Sequence, residues 1–426
     1  PKQPKRKGKK EADLSGLPVR RIDHYLSEEE LEAEFGVRGW KQLPDAISRK
    51  YHFVPAKVEV EEHHIGVYAS KIDEHMVKAD HPKALLHGSL VSPSLGAAVI
   101  NGKYVNAVPL YRLEQEFQRY GLQITRQNMA NWCIRLAEEY LSILYDHLHK
   151  ELYFYHVIQA DETPVLVNHD GRKAGSKSWM WVYRSGHLYQ DRQIVLYEYQ
   201  QTRNASHPRE FLKGYDGICV TDGYQVYHTL EKELEELTIA GCWVHCRRRF
   251  DEALKLIPKP SQKKSNAFLL MKQIQAIYRE EGKLNDLSSD ERLKQRQVVI
   301  KPLVDAFFAY LKTINVSKKD KFGDAVGYAL NQEKYLRVFL TDGDVPIDNN
   351  ASERAIRGFC IGKKNWQMID TINGAKSSAI IYSIVETAKA NNLKPFDYVQ
   401  YLLEEIPKHM SDRDCSFLED LLPWSE

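Results

Sequence analysis

The sequence predicts an α/β protein: a mixed sheet wrapped by helices, with an inserted helical region and a helical block ahead of the sheet. Three observations carry this reading. Between Tyr153 and Val244 short runs rich in β-branched and aromatic residues follow one another, first directly and then alternating with helical segments. Residues 251–345 read as charged helices. Residues 91–150 read as short helices with good caps.

The elements follow in order. Six of the first ten residues are Lys or Arg, so residues 1–24 read as a basic, disordered tail able to touch phosphates. Residues 25–90 mix charge with short strand-like runs, and Tyr51–Val60 alternates loosely, as a strand would. Ser92-Pro93 is a cap followed by a proline suited to a first helical turn. A second helix starts after Pro109 and ends at Gly121, and Thr125 caps a third that runs to about Lys150. This block resembles a helix-turn-helix, which would put Arg126, Gln127 and Asn128 at the start of a recognition helix, where base edges are reached. A plain helical packing module has the same pattern.

Strands are expected at Tyr153–Asp161, Ser178–Tyr183, Gln193–Tyr199, Gly217–Asp222 and Leu237–Val244. Residues 151–250 are therefore the first part of the sheet core, 251–345 a helical insertion, 346–405 the second part of the core, and 406–426 a tail. Within the second part, Gly374–Asn391 reads as an amphipathic helix with Ile380, Ile384, Val385 and Ala388 inward.

Composition narrows the class. The 426 residues are 43% hydrophobic and 28% charged, with a net charge of +2, an ordinary balance for a soluble protein. No stretch approaches the roughly 18 apolar residues of a membrane span, and no apolar signal segment stands at the start. The chain begins at Pro1 rather than Met, as a fragment or trimmed chain would. The six cysteines show no framework spacing, which fits a reducing compartment.

Three acids stand out. Asp161 follows the apolar pair Val157-Ile158, where a carboxylate is costly unless paired or metal-bound. Asp222 ends the run Ile218–Thr221 beside Gly223, the end of a strand where α/β sites gather. Either could instead be a turn or cap residue. Glu353 lies in Asp348-Asn-Asn-Ala-Ser-Glu353-Arg354. With Asn350 as the cap it would be a capping-box glutamate. Arg354 and Arg357 sit one turn apart, able to reach phosphates. Lys363, Lys364 and Trp366 pair charge with an aromatic that can stack on a base or form a surface turn.

These motifs carry a resemblance. Ala160-Asp161-Glu-Thr-Pro-Val165, Thr221-Asp222-Gly-Tyr224, Gly241-Cys-Trp-Val-His245-Cys-Arg247-Arg248-Arg249-Phe250, the Glu353 segment, Ile361-Gly-Lys-Lys-Asn-Trp366 and Thr387–Pro395 resemble the insertion sequence 66 family of bacterial transposases, as does Pro109-Leu-Tyr-Arg112. The resemblance covers about residues 50–405. It implies a ribonuclease-H-like catalytic core of the DDE type, with Asp161, Asp222 and Glu353 as its metal-binding triad. The cofactor expected is two Mg²⁺ or Mn²⁺ ions about 3.5–4 Å apart, which would activate the attacking oxygen and stabilise the leaving one. His245 and Arg247–Arg249 would contact the element end or support the metal site.

One departure matters. Family members commonly carry a cysteine-based zinc segment before the Pro-Leu-Tyr-Arg stretch, but Leu31–His87 contains no cysteine. Residues 25–90 are thus read as a degenerate zinc-finger-like region, and no structural zinc is predicted there or at Cys242, His245 and Cys246. The resemblance implies element ends and target DNA as partners, a homo-oligomer (a dimer) on DNA, accessory proteins of the same element, no membrane, and a bacterial cytoplasmic, nucleoid-associated location. Two other readings fit parts of the pattern: a transposase-derived DNA-binding protein without cutting activity, and a ribonuclease-H-like nuclease that never joins strands.

Overall fold

A computed structural model describes residues 19–48, 50, 56–316 and 320–425. The chain falls into two units, Pro1–Ala56 and Lys57–Glu426. The lysine-rich start and residues 51–55 of the expected first strand lie outside the described residues; residues 56–60 form no strand. In the first unit, helix α1 (Glu28–Phe35) opens on a capping box: the Ser27 hydroxyl accepts the Glu30 N–H, and the Glu30 carboxylate accepts the Ser27 N–H.

The second unit begins with an exposed hairpin, β1 (Val67–Ala69) and β2 (Met76–Lys78). Helices α2 (Pro93–Ile100), α3 (Leu110–Arg119), α4 (Arg126–Leu136) and α5 (Ser142–Leu152) follow, with Ser92 and Thr125 capping α2 and α4 through their side chains. Gly121 turns the chain between α3 and α4 at φ +85°, a conformation that glycine adopts without strain. These helices are not a separate module. Leu136, Leu144 and Leu148 share one core with Tyr197 of the sheet and with Ile384 and Leu402 near the C-terminus.

The sheet is built from β3 (Val157–His169), β4 (Lys177–Ser185), β5 (Val195–Gln200), β6 (Gly217–Thr221), β7 (Leu237–Gly241) and β8 (Ile369–Thr371), with α6 (Ser206–Phe211) and α7 (Gln225–Glu233) in the connections. The order is β5-β4-β3-β6-β7, with β8 alongside the far end of β3. Strands β3, β4 and β5 form an antiparallel meander, while β6, β7 and β8 run parallel to their neighbours. All five residues of β6 are buried, as a parallel strand covered on both faces requires.

Burial separates the two faces by residue parity. Ile158, Ala160, Cys219 and Ile239 join the core shared with α2–α5. Val157, Ile218, Val220 and Ala240 join a second core with a helical layer. That layer comprises α8 (Trp243–Lys255), α9 (Lys259–Gln262), α10 (Asn266–Glu281), α11 (Ser289–Gln295), α12 (Lys301–Thr313), α13 (Lys321–Asn331) and α14 (Glu333–Leu336). The helices after α8 are the insertion, and they pack around Trp243, Cys246 and Phe250 of α8. The chain then returns through α15 (Asn350–Trp366), α16 (Ile372–Ala390) and α17 (Pro395–Glu405).

Helix α16 closes the open edge of β5 with side chains rather than a strand. The Tyr197 N–H donates to Ser383 Oγ at 2.7 Å. Thr387 Oγ1 accepts the Val195 N–H and donates to the Val195 carbonyl, both at 3.0 Å. Asn391 accepts the Gln193 N–H at 3.0 Å and donates to its carbonyl at 2.7 Å. The spacing of four puts all three on one helix stripe, and an otherwise unpaired strand edge is satisfied. The C-terminal residues are not a tail: Leu418, Leu421 and Leu422 are buried, and Tyr398 Oη donates to the Leu421 carbonyl at 2.6 Å. Short 3₁₀ turns carry no periodic signal, so the sequence hid this packing. Among the described residues no helix is long and apolar enough to cross a membrane.

Thr387→Val keeps the shape of the edge ladder but removes both bonds to Val195. It is expected to cost about 1–3 kcal/mol, read as a lowered urea midpoint with an unchanged slope. An unchanged midpoint would show that the ladder contributes nothing.

Candidate active site

The site starts from register. Gln159 of β3 pairs with Val220 of β6, and this pairing ends there. Two residues further along each strand stand Asp161 and Asp222, side by side on the face shared with α8, since strand side chains alternate. Asp161 lies within β3, and Asp222 follows the last residue of β6. Asp161 accepts the Glu162 N–H at 2.9 Å, and Asp222 accepts the Tyr224 N–H at 2.8 Å. Gly223 leaves room for Tyr328 of α13, whose hydroxyl would lie 2.6 Å from an added Cβ.

The third acid arrives through the segment before α15. Asn349 is fully buried: its Nδ2 donates to the Ala160 carbonyl at 2.7 Å, its Oδ1 accepts from Gln159 at 3.1 Å, and its N–H meets Cys242 Sγ at 3.2 Å. Asp348 accepts the Asn350 N–H at 3.1 Å. The cap residue of α15 is Asn349, not Asn350, and its side chain makes no cap bond. Glu353 is therefore the fourth helical residue and no capping-box glutamate. Its side chain is 17% exposed, and Oε1 lies 3.5 Å from Arg248 Nη2 and 3.8 Å from His245 Nε2.

Electrostatics tie the acids together. Burial pushes Asp161 up to about 8, helped by the charges of Glu162, Asp222 and Glu353. Burial lowers His245, against the pull of Asp222 and Glu353. Glu162 projects to the opposite face, where it holds Arg203 and accepts from Tyr227 at 3.4 Å. Burial, then the charge of Asp222, pushes Glu162 up to about 7. Sequence reasoning passed over this fourth carboxylate, and also Gln159 and Asn349, because their partners are distant in the chain.

The acids fit divalent metal chemistry. They are hard oxygen donors, and Glu353 Oε1 is buried without a hydrogen-bond partner. Among the described residues, the trio of His, Cys, Asp or Glu side chains with ligand atoms all within 4.8 Å is His147, Glu151 and Glu419, on other elements. The three acids are thus a looser set than a single-ion cage.

The remaining sequence candidates divide. Arg247 lies over the Tyr278 ring at 6.0 Å and Arg249 over Tyr328 at 4.2 Å, so only Arg248 of the three meets Glu353. Arg354 and Arg357 are exposed on α15. Lys363 donates to the Pro164 carbonyl at 2.7 Å, and Trp366 is half-buried edge-on to Phe359 at 5.6 Å. Lys364 is exposed. Arg126, Gln127 and Asn128 are exposed at the start of α4. Cys242 and Cys246 are buried, and the Cys242 thiol accepts the Asn349 N–H at 3.2 Å.

Comparison with known proteins places the chain among the transposases. Residues 88–377 match the model of the transposase IS66 family, and residues 383–424 match the IS66 C-terminal element. The chain belongs to the IS66 transposase family. It is similar to two uncharacterized proteins of Sinorhizobium fredii (strain NBRC 101917 / NGR234). Protein y4qI is 30% identical over 389 residues, 89% of this chain and 70% of that one. Protein y4jD is 26% identical over 399 residues, 90% of this chain and 76% of that one.

The raised Asp161 yields a pH prediction for metal-free protein. Between the unfolded value of about 3.9 and the folded value of about 8, the native chain holds a proton that the unfolded chain releases. Stability therefore falls as pH rises through that window. Asp161→Asn should match the parent near pH 4 and exceed it by about 2 kcal/mol or more at pH 8. Equal unfolding free energies at pH 8 would contradict the strained carboxyl.

Proposed function

We propose that this protein is a DDE-type DNA transposase that cuts the ends of an insertion sequence and joins them to target DNA, with Asp161, Asp222 and Glu353 holding two Mg²⁺ or Mn²⁺ ions. The observation that carries the reading is the convergence of three acids from β3, the end of β6 and the first turns of α15, close enough for Asp161 to feel the other two charges. The sheet order, three antiparallel strands and then parallel ones, supports a ribonuclease-H-like core. Family membership supports DNA as the substrate.

When bound, the ions supply charge neutralisation for the attacking and leaving oxygens of a phosphodiester. The protein's own residues do the rest. The two aspartates are fixed by strand register and by backbone N–H bonds, so they need little reorganisation to act as ligands. Glu353 faces the Arg248 guanidinium at 3.5 Å, with His245 alongside at 3.8 Å. With Arg248 half exposed, that pairing is weak and can yield to a stronger cation. Arg354 and Arg357 are exposed on α15, where they can meet a DNA backbone. The exposed Arg126, Gln127 and Asn128 suit contacts with the element end. Homo-oligomeric assembly on DNA and accessory proteins belong to this reading too.

The test uses labelled duplexes carrying the element ends, with Mg²⁺ or Mn²⁺. Parent protein should cut them and produce joined strands. Asp161→Ala, Asp222→Ala and Glu353→Ala should each lower cleavage by at least about 10³-fold while end binding persists. Metal-dependent cutting by any of the three would overturn the triad. Cutting without joined products would reassign the protein as a nuclease, and binding without cutting as a DNA-binding derivative.

A further inference from the structure

Arg184 belongs to none of the motifs above, yet it lies one row behind the acids. It pairs with Gln159 across the β3–β4 ladder, so it shares the face of Gln159 and Asp161. Its Nε donates to the Ser185 carbonyl at 3.1 Å, one Nη1 hydrogen reaches the Ala351 carbonyl at 3.5 Å, and Nη2 meets Gln193 Oε1. A guanidinium has five N–H donors, so two remain open. The side chain is half-buried. Among the described residues no carboxylate lies within 4.0 Å of Arg184, of Arg354 or of Arg357.

The surroundings deepen the imbalance. Arg354 projects from α15 one residue beyond Glu353, and its charge, after burial, depresses Arg184 to about 10. The neighbouring His187 is pushed down to about 4 by burial and by the charges of Arg184 and Arg354, so it stays neutral. It leans on Gln159, whose Oε1 accepts the His187 N–H at 3.0 Å. Asp348 feels Arg354 but is engaged by Asn350. A partly buried cation without a counter-ion is costly, and a planar fork with open donors matches the geometry of a phosphate.

We propose that Arg184 and Arg354 form a clasp for a backbone phosphate of the bound DNA, next to the one that lies on the acids. Arg184 is then a positioning residue: it fixes the register of the strand on Asp161, Asp222 and Glu353 and takes no part in bond making. The inference rests on DNA as the substrate. It goes beyond the triad by assigning a sheet residue to hold the strand.

The test measures binding, without divalent metal, of a fluorescent random-sequence duplex of about 20 base pairs, a length that covers the roughly two helical turns of a typical contact. Affinity is followed across a range of NaCl concentrations. Arg184→Gln should weaken binding about 3- to 10-fold and reduce the slope of log affinity against log salt by about 1. Arg184→Lys should restore the slope but not the full affinity, because it keeps the charge and loses the fork. R184Q also loses the bonds to Ser185, Ala351 and Gln193, so it should melt lower than the parent without DNA; R354Q, changed at an exposed position, should melt as the parent does and still weaken binding and reduce the slope. Unchanged affinity and slope in a folded variant overturn the clasp. The two readings fail separately: a parent that binds but never cuts sinks the triad while leaving the clasp standing, and a parent that cuts while R184Q and R354Q bind unchanged sinks the clasp alone.

Discussion

Strand β3 is longer than the neighbour beside it, and the site follows from that mismatch. Pairing with β6 stops at Gln159 and pairing with β8 resumes at Val167. In between, one edge of a central strand has no partner strand. Buried backbone groups must be satisfied, and α15 supplies what is missing. Asn349 takes the Ala160 carbonyl and Lys363 takes the Pro164 carbonyl. Pro164, which lacks an N–H, falls in this stretch, where no ladder donor is needed on that side. A helix forced against β3 by two such bonds has little freedom in where its first turns point, and Glu353 is on those turns.

The same arrangement explains why so much charge can be kept in one place. Asp161, Glu162 and Asp222 stand within reach of one another's fields, and burial raises the first two. A pocket of this kind is unfavourable on its own, so it needs a frame that does not depend on it. Two separate hydrophobic cores supply that frame, one on each face of the sheet. The hydroxyl and amide ladder of α16 seals the outer edge, so the sheet neither frays nor offers a strand to another chain. Strain is thus confined to the face between β3, β6, α8 and α15.

Much of this was legible in the residues, and what was not has a common cause. Strand β6 is an uninterrupted apolar run ending in Asp, α4 carries the capping Thr125, and α16 places Ile384, Val385 and Ala388 at helical spacing, so local pattern located them. Local pattern also marked Asp161 and Asp222 as unusual, but not that register aligns them. Asn350 read as the cap, but Asn349 holds that position and spends its side chain as a buried link to β3, and only the fold joins residues some 190 apart in the chain. Lys363 and Trp366 read as a charged, stacking pair for DNA or as a surface turn, and the pattern did not show that Lys363 bonds the backbone of β3 or that Trp366 meets the ring of Phe359. The amphipathic reading of α16 found Ile384, Val385 and Ala388 but overlooked Ser383, Thr387 and Asn391, whose polarity hid their place against β5.

Helix α8 shows how the insertion and the acids depend on one piece of backbone. An α-helix turns about 100° per residue, so three consecutive arginines must fan out. Arg247 leans on Tyr278 of α10, Arg249 on Tyr328 of α13, and Arg248 alone faces Glu353. On the inner side, Trp243, Cys246 and Phe250 recur at helical spacing and form the centre of the insertion's core. On the side of the acids stand His245 and Arg248, one turn apart. The segment before α15 is pinned to the start of the same helix, where the Trp243 N–H donates to the Ile347 carbonyl at 3.1 Å and the Asn349 N–H meets Cys242 Sγ. A shift of the insertion therefore cannot leave the acids untouched: it would turn α8, move Arg248 relative to Glu353 and pull on the Asn349 link at once. Contact between the insertion and a DNA end would thereby bear directly on whether the third acid is in place.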